Sequence, residues 1–454
     1  MILGVDRGDG GCGPCTSMVH NPRPPASHTT ALYFSLEKRI IFTTKNERTT
    51  VMTCTDKFEQ LFGSVPEHTD FCPYRISPLG AHVDHQGGHI NGLAIDMGIR
   101  FAYSAAEDGS FELASTNFDG TVRFTQDDIG DHSKGDWADH CRGAVKMLAE
   151  KVLAEKANAD VISEGKHPLP IGLKGVIEGN FPIGGLSSSA AVIIVFMKAV
   201  AGLNGIKLSD RELIELAKAA ENLYVGVSCG KLDQSCEVLS KKDHILFLDC
   251  NDDSYELISK APVTPEYDIV VFFSGLERSL ASSAYNLRLD ECRAAAYSLL
   301  EYAGIPRKSI AETKLRDVPR DAFESYKNRL PEVFARRAEH FYNEDERACR
   351  GADLWRKGDI AGYGSLIFDS GRSCIDLYEC GCPELIKLYE IMHETRGVYG
   401  GCFSGAGFKG SCMAFTEHDR TSDVINAVTE AYLTAFPNLR GNIATAVCRS
   451  TDGV

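Results

Sequence analysis

The sequence predicts an α+β protein, in which strands and helices are mixed along the chain. Strand-like apolar runs occur at 93–105 (LAIDMGIRFAYSA), 244–250 (HILFLDC) and 266–273 (EYDIVVFF). Segments with the apolar spacing of amphipathic or buried helices lie between them. The chain contains no internal repeat, which excludes solenoids and propellers. Mixed elements without a repeat are typical of an α+β fold.

Local signals place two helices. Ser209 and Glu212 have the spacing of a capping box, so a helix is expected to begin there. Its apolar face is expected to comprise Leu213, Leu216, Ala217, Ala220 and Leu223. The run 190–200 is apolar except for Lys198 and predicts a buried helix. The stretch 151–170, which carries lysines and prolines, is expected to be an exposed connection.

Length and composition indicate how the chain is divided. Its 454 residues suffice for about two to four domains, or for one unit with two lobes. Residues 1–50 carry glycine- and proline-containing pieces and predict a flexible leader. Cys12 and Cys15 form a CxxC pair in it, for which a metal or redox site is the alternative interpretation. After the turn signal APVTPE, a boundary is expected between units 51–265 and 266–454.

The charge balance excludes some classes of partner. With 48 basic and 63 acidic residues the formal net charge is −15, so nucleic acid is not expected as a partner. No uncharged apolar run reaches the length of a membrane span. The cysteines are scattered, unlike those of a disulfide framework, and Asp6 and Arg7 lie where a secretory signal needs an apolar core. A cytoplasmic enzyme is the resulting expectation.

A loop rich in glycine and serine precedes the apolar helix. The segment 182–192 reads PIGGLSSSAAV. Glycines let backbone amides approach a ligand closely, and a helix N-terminus favours an anion, so the loop suits a phosphate. It is not a Walker loop, because GxxxxGK[ST] occurs nowhere in the chain. The alternative is that the loop merely caps the helix.

Polar and histidine residues cluster at 73–91 (PYRISPLGAHVDHQGGHIN). The cluster comprises Arg75, His82, Asp84, His85 and His89. Because the segment is rich in glycine and polar residues, it is expected to be neither a plain strand nor a plain helix. A polyhydroxy ligand is the favoured interpretation, because it needs both donors and acceptors. A metal is the alternative, although the spacing is not that of a zinc site.

Two carboxylates lie in the segment AENLYVGVSCGKLDQS at 220–235. Glu221 is expected at the end of the capped helix, and Asp233 follows a glycine-containing turn. Near a phosphate loop, two acids can divide the tasks of holding Mg²⁺ and activating a hydroxyl. The alternative for Asp233 is that it caps the next helix.

Together these three segments resemble the signature regions of the galactokinase branch of the GHMP sugar and metabolite kinases. ERSLASSAYNLR at 277–288 and SGAGFKGSCMAF at 404–415 resemble further family segments, so the resemblance covers about residues 70–450. It implies a two-lobed GHMP kinase fold that binds ATP and sugar between its lobes. An N-terminal lobe like a domain of ribosomal protein S5 would occupy 51–265, and a ferredoxin-like lobe 266–454. A monomer or weak homo-oligomer is expected.

The resemblance also implies transfer of the ATP γ-phosphate to the anomeric hydroxyl of a sugar. By position, Asp233 corresponds to the family's catalytic acid/base and Arg75 to its transition-state-stabilising arginine. Ser189 and Glu221 correspond to its Mg²⁺ ligands. The phosphate-binding backbone corresponds to Gly184, Gly185, Leu186, Ser187, Ser188 and Ser189, with one glycine fewer before the leucine than in many galactokinases.

One departure from the family bears on the substrate. Galactokinases typically read GEHTDY where this chain reads GAHVDH, so Ala81 replaces a glutamate that holds the 6-hydroxyl of the sugar. His82 and Asp84 keep their places as sugar contacts, and Tyr285 matches another one. Without the glutamate, a carboxylate on carbon 6 of a sugar would meet no like charge at this position.

A sugar acid is therefore the expected substrate. The segment SPLGAHVDHQGG resembles that of plant galacturonokinases, which implies phosphorylation of D-galacturonate to its 1-phosphate. His85, in place of the family's tyrosine, and Arg278 are the candidates to bind the carboxylate. The alternatives are a galactokinase with a relaxed pocket and a catalytically silent regulator that binds sugar and ATP.

Overall fold

Backbone hydrogen bonds divide the strands between two sheets. The computed structural model describes residues 40–42, 52–133, 135–158, 167–277 and 282–454. The strands are β1 (Ile40–Phe42), β2 (His68–Leu79), β3 (His89–Ala106), β4 (Phe111–Ser115), β5 (Thr121–Phe124), β6 (Gly172–Gly179), β7 (His244–Asp249), β8 (Tyr255–Ser259), β9 (Tyr267–Phe273), β10 (Val398–Phe403), β11 (Ser411–Glu417) and β12 (Ala444–Cys448). The helices are α1 (Cys54–Phe62), α2 (Asp139–Asn158), α3 (Ser188–Leu203), α4 (Asp210–Ala219), α5 (Leu232–Leu239), α6 (Ser282–Tyr302), α7 (Arg320–Tyr326), α8 (Glu332–Lys357), α9 (Ile360–Ser373), α10 (Pro383–Glu394) and α11 (Thr421–Ala435).

The first sheet is organised around β3, which is 18 residues long. One edge of β3 pairs with β2, and the other edge pairs first with β7 and then with β6. The strand order is β5-β4-β6-β3-β7-β8, antiparallel except between β4 and β6. The strands expected at 93–105 and 244–250 are β3 and β7, so both predictions are confirmed.

The second sheet has the order β1-β12-β9-β11-β10, and all of its pairs are antiparallel. Its central strand β9 confirms the strand expected at 266–273 and is apolar on both faces because both are covered. Ile269, Val271 and Phe273 belong to a core shared with the first sheet. Val270 and Phe272 belong to a second core, to which α10 and α11 contribute.

Strand β1 corrects part of the predicted flexible leader. The run Ile-Ile-Phe pairs with β12, with Ile40 opposite Ala446. Branched and aromatic residues suit a sheet edge, but a partner so distant in sequence leaves no local signal. Because β1 joins the second sheet, a cut at 265 does not fully separate the two sheets, and the unit boundaries remain a prediction. Cys12 and Cys15 lie outside the described residues.

Both predicted helices are present, with one correction. The run 190–200 lies in α3 and is almost wholly buried. At the start of α4, the Ser209 hydroxyl accepts from the backbone N–H of Glu212, and the Glu212 carboxylate accepts from the N–H of Ser209, which confirms the capping box. At Ala220 the helix passes into a π-helical turn, Ala220–Val225. This wider turn takes Leu223 off the apolar face, and its side chain is 76% exposed.

Two further expectations differ from the structure. The supposed connection at 151–170 is helical to Asn158, because Leu148 and Val152 continue the buried face of α2. The segment 73–91 is not irregular throughout, since 73–79 belong to β2 and 89–91 to β3. Apolar and polar residues alternate on both flanks, which is why the flanks form strands. Only 80–88 departs from strand geometry.

The cysteines and helices bear on two expectations drawn from the sequence, that the chain has no disulfide framework and no membrane span. Every cysteine in the described part of the chain is a free thiol. No helix among the described residues combines the length and apolar character needed to cross a lipid bilayer.

Candidate active site

A cavity of about 430 Å³ opens where β2, the loop before α3, the start of α5 and the loop between β10 and β11 meet. Most of the residues singled out in the sequence line it: Arg75, Ala81, His82, Asp84, Gly184, Gly185, Ser187, Ser188, Ser189, Glu221, Asp233 and Tyr285. Leu186 and His85 do not line it. Arg278 lies outside the described residues, so its expected role stays a prediction. Segments far apart in sequence thus converge on one cavity.

Arg75 on β2 and Asp233 on α5 form an ion pair in this cavity. The Nε and one terminal nitrogen of Arg75 both lie 2.7 Å from Oδ1 of Asp233. Arg75 is 3% exposed, whereas Asp233 is 26% exposed. Asp233 lies in the first turn of α5, whose N-cap is Lys231, so it is not the capping residue. The ion pair holds the carboxylate in place while the cavity keeps access to it.

The glycine-serine loop is anchored by its carbonyl groups. The Gly184 carbonyl accepts from the Ser411 hydroxyl at 2.9 Å, and the Gly185 carbonyl accepts from Ser404 at 2.7 Å and from Arg75 at 3.0 Å. Because a planar peptide points its C=O and the following N–H in opposite directions, these anchors turn the next amides away from the anchoring residues. The loop then runs into the N-terminus of α3, which adds free amides and a positive dipole end.

Gly185→Ala should perturb this loop strongly. Gly185 has φ +86°, and a Cβ there would lie 2.6 Å from the carbonyl oxygen of Ser404, a backbone atom that cannot swing away. We expect a lower melting temperature and a KM for ATP raised by at least about tenfold. Gly205→Ala is the matched control, because Gly205 has φ +66° with nothing within 4 Å and so tests the backbone strain alone. Equal effects of the two substitutions would contradict the packing argument.

Ser189 and Glu221 meet directly on the cavity wall. The Ser189 hydroxyl donates to Oε1 of Glu221 at 2.7 Å, while Oε2 accepts from the Gln234 amide at 2.6 Å and from the Cys229 thiol at 3.3 Å. The π-helical turn that carries Glu221 sets this carboxylate opposite α3. A hydroxyl and a carboxylate held together are hard oxygen donors of the kind that Mg²⁺ prefers.

Asp84 begins a short helical turn, Asp84–Gln86, and lines the cavity together with Ala81 and His82. Its Oδ2 accepts from the backbone N–H of Leu232 at 3.3 Å, next to Asp233. Burial, and then the negative charge of Asp233, raises the pKa of Asp84 to about 6. The group is therefore close to half-protonated at mildly acidic pH and ionised at neutral pH.

The expected role of His85 does not fit the structure. Gln86 accepts from the N–H of Leu315 at 3.0 Å through Oε1, which leaves its Nε2 to donate to Nδ1 of His85 at 3.0 Å. The Nε2–H of His85 then donates to the Tyr378 hydroxyl at 3.2 Å. Burial lowers the pKa of His85 to about 3, so the ring is neutral. With both nitrogens bonded, His85 has no donor for a sugar carboxylate and instead orients Tyr378.

A buried carboxylate, absent from the sequence predictions, stands behind Ala81. Glu344 on α8 accepts through Oε1 from the N–H groups of Gly80 and Ala81, at 2.8 and 3.2 Å, and from Ser370 at 2.7 Å. Its other oxygen pairs with Arg347. Four donors therefore compensate this acid, which fixes the backbone of the motif rather than facing the cavity.

Sequence reasoning also missed the aromatic end of the cavity. Phe118 and Trp137 line it with rings stacked at 6.0 Å and an interplanar angle of 6°. Both residues lie in polar loops, STNFDG at 115–120 and GDWADH at 135–140. Aromatic residues in otherwise polar loops are a signal of binding that was available in the sequence.

Comparisons with known proteins show what this chain resembles. The family described as "GHMP kinases N terminal domain" matches residues 142–241, and "GHMP kinases C terminal" matches residues 352–433. A galacturonokinase of Arabidopsis thaliana is 35% identical over 84% of this chain and 91% of its own length. A galactokinase of Roseiflexus sp. (strain RS-1) is 33% identical over 88% of this chain and 95% of its own. The Lactococcus lactis galactokinase, solved in complex with galactose, has a TM-score of 0.76 and 27% identity, and covers 88% of this chain and 97% of its own.

Proposed function

The chain belongs to the GHMP kinases and is an ATP-dependent sugar kinase, and from that premise we propose that it phosphorylates D-galacturonate at the anomeric hydroxyl. The expected two-lobed GHMP kinase fold is confirmed. The observation that carries the choice of substrate is Ala81, which lines the cavity where galactokinases typically have a glutamate. The similarity to a galacturonokinase along most of both chains supports the same choice.

The surroundings of Ala81 suit a carboxylate on carbon 6. Ala81 brings no charge, and Glu344 behind it is compensated by four donors. His82, whose ring lines the cavity beside Ala81, is neutral, because burial lowers its pKa well below the usual range. A carboxylate on carbon 6 would therefore meet no uncompensated negative charge from Ala81, His82 or Glu344. Arg278 remains a proposed contact.

We propose that Arg75 and Asp233, which form an ion pair, carry out the transfer. A neutral sugar hydroxyl is a weak nucleophile, so the Asp233 carboxylate would orient it and accept its proton. The buried Arg75 guanidinium would stabilise charge that develops between the sugar oxygen and the phosphoryl group. Most of the acceleration would come from in-line positioning and charge neutralisation, because phosphoryl transfer needs little covalent assistance.

The charges of the cavity support Mg²⁺ as a cofactor. Among the described residues that line it, Arg75 is the single permanent cation, whereas the acids are Asp84, Asp136, Glu221, Asp233 and Glu277. A nucleotide triphosphate adds several more negative charges, which a divalent cation offsets. We propose Ser189 and Glu221 as its ligands, because their oxygens are already in contact. When bound, the cation would neutralise phosphate charge.

We also propose a place in the cavity for each part of ATP. The amides of Gly185, Ser187, Ser188 and Ser189, which line the cavity, would hold the phosphates at the start of α3. Phe118 and Trp137 would stack against the purine ring, since aromatic side chains bind flat heterocycles well. The sugar would occupy the opposite end, next to Ala81 and Asp84.

A substrate panel tests the proposal. With ATP and Mg²⁺, kcat/KM should be highest for galacturonate, at least about tenfold above galactose. A preference for galactose would overturn the choice of substrate while leaving the sugar kinase assignment intact. Sugar and ATP binding without release of ADP would instead indicate a silent regulator.

The raised pKa of Asp84 predicts a pH dependence of sugar affinity. An ionised Asp84 accepts hydrogen bonds from ring hydroxyls, so affinity should rise with pH through about 6 and level off by about pH 7. The effect of Asp84 on the stability of the fold has the opposite sign. Between pH of about 4 and 6 the folded protein holds a proton that the unfolded chain loses, so this group lowers the unfolding free energy as pH rises. Calorimetric titration with sugar at several pH values measures the first effect. Asp84→Asn should abolish the pH-dependent step, and its persistence would assign it to another group.

A further inference from the structure

Three buried side chains form a cluster beneath the sugar end of the cavity: His82, Cys374 and Cys380. We propose that this thiol–imidazole cluster is a binding site for a borderline-soft divalent cation such as Zn²⁺, and that cation binding there opposes sugar binding. His82 is 8% exposed and both cysteines are 3% exposed. His82 also lines the cavity, which gives a cation a route to the site.

The spacing of the donor atoms fits a tetrahedral ion. One ligand atom from each of the three residues lies within 4.8 Å of the other two, and Nε2 of His82 is 3.5 Å from Sγ of Cys380. Zinc–nitrogen bonds of about 2.0–2.1 Å and zinc–sulfur bonds of about 2.3 Å require N···S edges of about 3.5 Å and an S···S edge of about 3.8 Å. An ion could therefore be bound with little movement of the side chains.

The local fold brings the cysteines together. A π-helical turn, Cys374–Tyr378, follows α9, and the N–H of Cys380 bonds back to the carbonyl of Cys374 at 3.1 Å. Glu379 takes the left-handed conformation, with φ +55°, and so returns the chain toward the turn. This turn brings the two thiols, which are six residues apart in sequence, to the same side of the loop.

The histidine is held by a separate device. His82 itself has φ +63°, and its ring stacks on Tyr378 with centroids 4.1 Å apart and planes at 5°. Tyr378 in turn receives a hydrogen bond from His85. The imidazole is thus oriented before any ligand arrives, which lowers the ordering cost of binding.

The charge of the cluster suits a buried divalent cation. Binding would form two metal–sulfur bonds and one metal–nitrogen bond, and each thiol would lose its proton to solvent. Two thiolates and one neutral imidazole balance the two positive charges, so the complex is neutral and its burial is acceptable. Three protein ligands leave a fourth position open, as in zinc sites that bind a further small ligand.

The consequence for sugar rests on the proposed placement of the sugar next to His82. A metal ion would fix the His82 ring through Nε2 and introduce a fourth ligand at the edge of the sugar end. A sugar that needs the same ring would then compete with the ion. The site itself does not depend on which sugar is bound.

Cobalt titration tests the site directly, because Co²⁺ replaces Zn²⁺ and absorbs in the near ultraviolet when thiolates bind it. The titration uses the full-length, reduced protein with Cys12→Ser and Cys15→Ser, which removes the CxxC pair as a competing site. One Co²⁺ per chain with thiolate absorption is expected. Cys374→Ala, Cys380→Ala and His82→Ala should each weaken binding by more than about 100-fold.

Cys382→Ala is the matched control, because this partly buried cysteine lies two residues from Cys380 but outside the cluster. It should leave the absorption unchanged. If a cysteine variant fails to fold, as judged by thermal unfolding, His82→Ala is the decisive variant, because His82 lines the cavity. Absorption that survives the loss of His82, or that never develops in the starting protein, would overturn the site.

Competition is measured without nucleotide, so that ATP does not chelate the metal. With Zn²⁺ held at ten times its Kd, the apparent Kd for galacturonate and for galactose should rise about elevenfold. The rise should vanish in Cys380→Ala. Unchanged sugar affinity at a site that still binds Co²⁺ would overturn the competition. If galactose binds and galacturonate does not, the result would instead count against the proposed substrate.

Discussion

Asp233→Asn should lower kcat for sugar phosphorylation by about 10²–10⁴-fold, the range that a general base contributes. Asparagine has the same shape as aspartate, and its carbonyl oxygen can still accept from Arg75 in the position that Oδ1 occupies. What asparagine lacks is a carboxylate oxygen that can take the proton of the sugar hydroxyl. Binding of sugar and ATP should therefore change by less than about threefold while turnover is nearly lost.

Asp249→Asn is the matched control for this substitution. Asp249 also pairs with an arginine, Arg316, at 2.7 Å and is 15% exposed, but it does not line the cavity. We expect near-normal turnover from that variant, measured as ADP release under the same conditions. Normal turnover by Asp233→Asn would refute the assigned role. Loss of sugar binding together with turnover would show that the carboxylate mainly holds Arg75 and the cavity in place.

The elements that could be predicted are those with a complete local signal. The apolar run of β3 and the capping box of α4 each carry their own evidence, and both are present. Leu223 departs from its expected face because a π-helical turn follows the helix, and a period of 3.6 residues does not foresee it. Strand β1 could not be predicted because its partner, β12, lies at the other end of the chain.

The candidate site likewise has features that the sequence predicts and features that it does not. The motif positions of Arg75 and Asp233 were accessible from the resemblance, but their shared contact through one oxygen depends on how β2 meets α5. Glu344 could not be found, because nothing in the sequence of α8 shows that it faces the backbone of Ala81. The residue type of His85 allows a direct contact with the sugar, but the structure shows both of its ring nitrogens already bonded.

Ala81→Glu should reverse the preference between the two sugars. A glutamate at this position would meet the carboxylate of galacturonate, and two unit charges about 4 Å apart at an effective dielectric near 20 repel by roughly 4 kcal/mol. That is a loss of about 10³-fold in kcat/KM for galacturonate at about 1.4 kcal/mol per decade. Galactose carries a neutral hydroxyl there, so its kcat/KM should fall by less than about tenfold, or rise.

Ala81→Gln separates charge from size in this experiment, because glutamine fills the same space without a charge. Its effect on galacturonate should be smaller than that of Ala81→Glu by at least about 30-fold, and the two sugars should suffer alike. Equal losses from both substitutions would mean that the cavity only lacks room at Ala81, and galacturonate specificity would have to be sought elsewhere.

The chain carries a net charge of −15, so long-range attraction cannot collect an anionic sugar and nucleotide. Recognition must then be local, and in such a cavity the absence of one acid matters as much as the presence of a base.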